Sequence, residues 1–205
     1  FNLGSRSNKK EILSALKNKK MNFTDYREKI YAKTAELISE GKIIGWYQGA
    51  TEFGPRALGN RSILCKPFPE KMRDHINKNV KFREYFRPFA PSVLEEDLHD
   101  YFTINQSSPH MLIACSVKKD KKASIPATVH VDNTCRAQSV SKNLNPKFWN
   151  LINEFKKITG IPVLLNTSFN IKGQPIVNNP KDAIDCFKKY KIDYLVTDSI
   201  LVKKN

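Results

Sequence analysis

Cysteine, histidine and acidic residues are in short supply along these 205 residues, and each shortage excludes something. Four cysteines, at 65, 115, 135 and 186, show neither a metal-ligand spacing nor a Cys-x-x-Cys pair, so buried free thiols in a reducing cytoplasm are expected instead of a disulfide framework. Four scattered histidines build no metal motif. No run of 18 or more apolar residues occurs, so no spanning helix is expected and a membrane is not among the expected partners. The chain opens on Phe1, with neither methionine nor a basic-then-apolar leader, and reads as a piece of something longer without a signal peptide. Twenty Asp and Glu stand against 35 Lys and Arg, a net charge of +15 that favours an anionic partner. Many of those lysines fall in tracts such as Lys118-Lys119 and Lys188-Lys189, which suit a solvated hairpin tip and a helix end, so general nucleic-acid binding is not expected.

What is abundant is cationic charge beside turn residues. Residues 52–62 contain Arg56 and Arg61 among Gly54, Pro55 and Gly59, and residues 81–92 contain Lys81, Arg83 and Arg87 ahead of Pro88 and Pro91. Glycine and proline force turns that point such groups into one concavity. Two cations ~6 Å apart repel by about 3 kcal/mol at an effective dielectric of 20, a cost that a polyanion relieves. Guanidinium forks match phosphate oxygens, and a lysine supplies a point charge that can follow a moving phosphoryl group. Glu52 and Glu84 are the only acids nearby. This stretch is therefore expected to be half of a phosphate site, with one or two of its cations paired to those acids.

Apolar spacing predicts helices and strands in alternation. Asn8 caps a short helix bearing Ile12, Leu13 and Leu16, and a second helix after Thr24 closes at Gly41. Strands are expected at 42–48, 62–65, 89–94, 111–117, 127–131 and 136–140, with a helix through Met72 and Ile76 and a helical turn at 95–101. A helix capped by Asn145 and started by Pro146 presents Phe148, Leu151, Ile152, Phe155 and Ile158, then ends at Gly160. Strand 161–165, a helix capped by Asn179 and one or two strands over 194–202 complete the pattern. The fold class expected is α/β (α+β), a twisted mixed sheet flanked by helices. Residues 1–40 read as a helical arm or linker from a preceding domain, and 41–205 as the domain itself.

Two further clusters carry chemistry. In residues 130–138, alternation puts Arg136 and Gln138 on one face, able to hold an anion and to read an amide or base edge, while His130 and Asp132 share a face and are within reach of a hydrogen bond. Residues 166–170, Asn-Thr-Ser-Phe-Asn, follow a buried strand directly, the place where α/β sheets bind ligands. Ser168 has no His or Lys base beside it in sequence, so it is expected to donate to phosphate and not to attack as a nucleophile.

The segments EFGPRALGNRSIL, KFREYFRPFAPSVL, HVDNTCRAQSV and LLNTSFNIKGQPI, in this order and spacing, resemble the C-terminal part of the NodU/CmcH family of O-carbamoyltransferases. The resemblance covers roughly residues 40–200. It implies a YrdC-like domain that makes carbamoyl-adenylate from ATP, carried with Mg²⁺, and carbamoyl phosphate. An N-terminal actin-like, metal-binding domain of the same protein then transfers the carbamoyl group to a small-molecule hydroxyl acceptor. On this resemblance Lys81, Arg83, Ser168 and Asn170 match the Lys-x-Arg and Ser-x-Asn tetrad of YrdC-like domains. Arg56, Arg87 and Arg136, with Arg61 close behind, would line the carbamoyl phosphate and nucleotide site. Where the family more often has Gly and a small residue before the Arg, this chain has Asn133-Thr134-Cys135. The competing expectations are a threonylcarbamoyl-adenylate synthase-like domain for tRNA modification and an RNA-binding module.

Overall fold

In the computed structural model, which describes residues 3–204, helix α1 (Lys9–Asn18) begins at a capping box. Asn8 accepts from the Glu11 amide while Glu11 reaches back to the Asn8 amide, so the local chemistry fixes the start. Strand β1 (Asn22–Asp25) and helix α2 (Ile30–Ser39) follow, and Gly41, at φ +92°, turns the chain into β2 (Ile44–Tyr47). After the loop 48–60 come β3 (Arg61–Cys65), α3 (Lys71–Ile76) extended by a π turn (Asn77–Lys81), and β4 (Ala90–Leu94). A short α4 (Leu98–Tyr101) leads to β5 (Phe102–Thr103), β6 (Cys115–Val117), β7 (Thr134–Cys135) and β8 (Gln138–Val140). The last elements are α5 (Pro146–Thr159), β9 (Val163–Ser168), α6 (Pro180–Lys189), β10 (Tyr194–Thr197) and β11 (Ile200–Lys203).

Eight strands form one mixed sheet in the order β1-β11-β10-β2-β3-β9-β4-β8, in which β10–β2 and β4–β8 are parallel and the other pairs antiparallel. Because side chains alternate across the pleat, the central strands are apolar on both faces. Ile44, Trp46, Leu64, Leu164 and Val196 face α2 and α5; Ile43, Ile63, Cys65, Leu165 and Leu195 face α1 and α6. Strands β5, β6 and β7 make a separate small sheet. The expected mixed sheet flanked by helices is what forms.

Within residues 3–40, β1 is the sheet edge beside β11, α2 packs on α5, and Ile12 and Leu16 are core. Three expectations are corrected. Residues 127–131 are not a strand, since Pro126 starts a 3-10 turn whose Ala127 amide donates to the Pro67 carbonyl. The strand expected from 111 begins only at Cys115, after Met111 takes a left-handed φ of +57°. Ile158 is 52% exposed, although it shares helical spacing with the buried Phe155. All four cysteines are buried and free.

Candidate functional site

The loop 52–60 is held by one buried carboxylate. Glu52 Oε1 accepts from the amides of Leu58, Asn60 and Arg61 at 2.7–3.0 Å, which folds the chain over itself. Gly59, at φ +100°, lies so close to Phe148 that a Cβ there would sit 2.2 Å from the ring. The carbonyls of Leu58 and Gly59 accept from Gln138 Nε2 and Trp46 Nε1 at 2.9 Å each. With its base tied down, the loop presents Arg56 at the cleft.

The segment 77–89 is wound around Asn77. Its Nδ2 donates to the carbonyls of Tyr85 and Arg87 at 3.0 and 2.9 Å, and its Oδ1 accepts from Arg83 Nε at 2.7 Å. Phe82 takes a left-handed φ of +48° to make the reversal. Arg83 then lies over Phe89, 4.6 Å from the ring centroid, and Arg87 stands at the rim beside Glu84 at 3.8 Å. From the sheet, β9 delivers Asn166, Thr167 and Ser168. Phe169 is locked in the core against Gly45, where a Cβ would meet the ring at 2.7 Å.

These three segments and Arg136 enclose a cleft of about 170 Å³ whose wall contains Arg56, Arg83, Arg87 and Arg136 and no carboxylate. Burial, then Arg136, depresses the Arg56 pKa; burial, then Arg87, brings Arg83 down to about 10. Lys81 is 4% exposed and spans the end of β9. Its Nζ lies 2.9 Å from the Ser168 carbonyl, 3.2 Å from Ser168 Oγ, and 2.8 Å from both the carbonyl and Oδ1 of Asn170. Burial, followed by Arg83 and Arg87, pulls Lys81 from 10.5 to about 7.

The sequence-predicted residues thus divide. Lys81, Ser168 and Asn170 touch one another, and Arg83, Arg56, Arg87 and Arg136 meet at the adjoining cleft. Arg61 is turned away: fully buried, it stacks on Tyr47 at 3.7 Å and donates to the carbonyls of Gln48, Asn60, Gly49 and Ser5. Gln138 is buried under the 52–60 loop with both amide atoms bonded. His130 is outside the cleft wall, in a turn where Asp132 accepts from Thr134 and not from His130; burial lowers its pKa, with Asp132 raising it and Arg136 lowering it less. Ser168 does have a lysine at hydrogen-bond distance, brought from 87 positions away. Its hydroxyl, however, donates to Asn170 Oδ1 at 2.6 Å, which fits a donor held in place better than an activated nucleophile. Asn77 and Asn166 were not singled out from sequence, although Asn166 sits in the polar run after the buried strand. Among the described residues no group of three or more His, Cys, Asp or Glu is placed to hold a metal.

The mixed sheet and helix layers are those of the YrdC-like fold. E. coli YciO superposes with a TM-score of 0.57 over 84% of this chain and 78% of that one, at 14% identity. Full-length HypF, in a phosphate- and nucleotide-bound form, gives 0.54 over 86% of this chain and 24% of its own, also at 14%. Residues 35–204 match the family described as Carbamoyltransferase C-terminus, and the chain belongs to that family. Nodulation protein NolNO of Sinorhizobium fredii is 49% identical over 178 residues, 85% of this chain and 26% of that protein. The chain spans about a quarter to two fifths of the curated relatives it matches.

Proposed function

We propose that this domain uses ATP and carbamoyl phosphate to make carbamoyl-adenylate, which a preceding domain of the full-length protein passes to a hydroxyl acceptor. The observation that carries this reading is the convergence of four guanidiniums, without a lining carboxylate, beside a lysine that spans Ser168 and Asn170. Family membership supports transfer of a carbamoyl group, and the phosphate- and nucleotide-bound HypF structure supports a nucleotide in this fold.

The chemistry asks for positioning and charge stabilisation. Hydrolysis of carbamoyl phosphate gives carbamate and phosphate. A carbamate oxygen then attacks the α-phosphorus of ATP, and the bond to the leaving pyrophosphate breaks. Both partners are anions, so fixed cations lower the cost of bringing them together and stabilise the charge that builds on the phosphoryl oxygens. Mg²⁺ enters with the nucleotide as part of the substrate. About 170 Å³ holds a phosphate and its carbamoyl group but falls below the ~300 Å³ of small ligand sites, so the nucleoside extends beyond the cleft; Tyr85 and Phe86, exposed in the segment between the lining Arg83 and Arg87, are candidate contacts for it.

The test is pyrophosphate release. Release that requires both ATP and carbamoyl phosphate, and is lost in Arg136→Ala, is the expected result. Release that requires threonine and bicarbonate would assign threonylcarbamoyl-adenylate synthesis, and binding of duplex RNA without any ATP preference would assign an RNA module.

A further inference from the structure

Asn166 is 1% exposed and lies in the cleft wall between Ala57 and Thr167. Its Nδ2 is within reach of three oxygens: the Ala57 carbonyl at 3.1 Å, Ser92 Oγ at 3.0 Å and Gln138 Oε1 at 3.1 Å. The Ala57 carbonyl can only accept. Gln138 Oε1 is likewise fixed as an acceptor, because the other end of that amide donates to the Leu58 carbonyl at 2.9 Å. The Asn166 amide is therefore locked with its NH2 toward the loop, and Oδ1 must point the other way. Oδ1 is buried and has no partner among the described residues.

A buried acceptor without a donor costs free energy, and the loss is recovered when a ligand brings an N–H. The charged groups of the cleft wall are all donors, the guanidiniums of Arg56, Arg83, Arg87 and Arg136, beside the hydroxyls of Thr167 and Ser168. A ligand that suits both must be an anion that also carries an N–H. We propose that Asn166 Oδ1 accepts from the amide N–H of the carbamoyl group and sets the choice of carbamoyl phosphate over acyl phosphates of the same shape and charge. This rests on the carbamoyl-adenylate reading and deepens it: the arginines read the phosphate and Asn166 reads the amide.

Acetyl phosphate replaces NH2 by CH3 with little change of volume or charge, so the pair isolates the proposed contact. Dissociation constants of carbamoyl phosphate, acetyl phosphate and inorganic phosphate would be measured calorimetrically on the natural chain, Asn166→Ala and Ser92→Ala. The natural chain is expected to prefer carbamoyl phosphate to acetyl phosphate at least tenfold, since a site built to pair an N–H rejects the analogue without it. Asn166→Ala should bring the ratio below about threefold while keeping its affinity for inorganic phosphate. Ser92→Ala removes one contact of Nδ2 without touching Oδ1 and should keep the ratio. Equal binding of the two acyl phosphates by the natural chain refutes the inference without any variant and leaves the anion site standing. Loss of all three ligands in Asn166→Ala would make the residue a structural support and overturn it as well. Failure of the natural chain to bind any of the three would overturn the functional reading, and this inference with it.

Discussion

Binding of a phosphate beside Lys81 should take up a proton above neutrality. In the free protein burial and the neighbouring arginines hold Lys81 at about 7, so ~50% of the molecules carry the ammonium at pH 7, ~10% at pH 8 and ~1% at pH 9. An anionic oxygen ~4 Å away favours the charged form by about 4 kcal/mol at an effective dielectric of 20, enough to keep it protonated in the complex throughout this range. Binding of MgATP at pH 8 is therefore expected to consume ~0.9 proton. Its affinity should fall ~50-fold from pH 7 to pH 9, in proportion to the free protein already in the binding-competent state. Calorimetry in buffers of different ionisation enthalpy reads the first quantity and titrations across pH the second. Lys81→Arg, whose charge does not titrate here, should bind with no proton uptake and a flat profile. An affinity of the natural chain that is equal at pH 7 and pH 9 would refute the placing of Lys81 at the phosphate. The same depressed pKa makes a statement about stability: the unfolded chain, with its lysine at 10.5, holds the extra proton from pH 7 to about 10. Stability should therefore rise with pH across that window by up to ~1.4 kcal/mol per pH unit from this one group, and the slope should shrink in Lys81→Met.

Four further outcomes follow from the framework around the cleft. Replacing Arg61 by Met should cost about 3 to 5 kcal/mol in chemical denaturation by leaving four carbonyls without their donor, whereas Arg56→Ala should cost almost no stability and weaken phosphate binding at least tenfold. Gly59→Ala places a methyl 2.2 Å from Phe148 at φ +100° and should destabilise by about 2 to 4 kcal/mol, read from the shift of the denaturation midpoint. Asn77→Ala releases the carbonyls of Tyr85 and Arg87 together with Arg83 Nε; pyrophosphate release should fall at least tenfold, with faster proteolysis at residues 82–88 than in the natural chain.

Features with local causes were legible in the sequence. Asn8 with Glu11, Asn179 with Asp182 and Asn145 before Pro146 all cap helices where the residue types predict, and Gly160 takes the left-handed φ that ends α5. Strand β1, Asn-Phe-Thr-Asp, was not legible because its four residues show no apolar alternation; it exists through pairing with β11. Arg56 and Arg61 were indistinguishable for a similar reason. They are the same residue type five positions apart, and only the fold separates them. Glu52 gathers the amides of 58, 60 and 61, and the pleat of β3 then sends Arg61 to the face of Ile63 and Cys65, onto Tyr47 across the strand pair. Asn166 and Gln138 are both strand amides, in β9 and β8, and nothing local tells that one has both amide atoms bonded while the other keeps an acceptor free.

The cations of the cleft are balanced by very little negative charge within the fold. Glu52 gives its Oε1 to three amides, and Glu84, about half exposed, lies 3.8 Å from Arg87 and 3.3 Å from Lys172 at the rim. The protein holds Lys81 and Arg83 with neutral oxygens instead: the carbonyls of Ser168, Asn170 and Pro88 and the amide oxygens of Asn170 and Asn77. Neutral partners orient a cation without cancelling its charge. Carboxylates in the same places would have stabilised the free domain and competed with the incoming phosphate. The asparagines at 77 and 170 therefore keep the site charged, and repulsion left in the free protein is relieved on binding an anion.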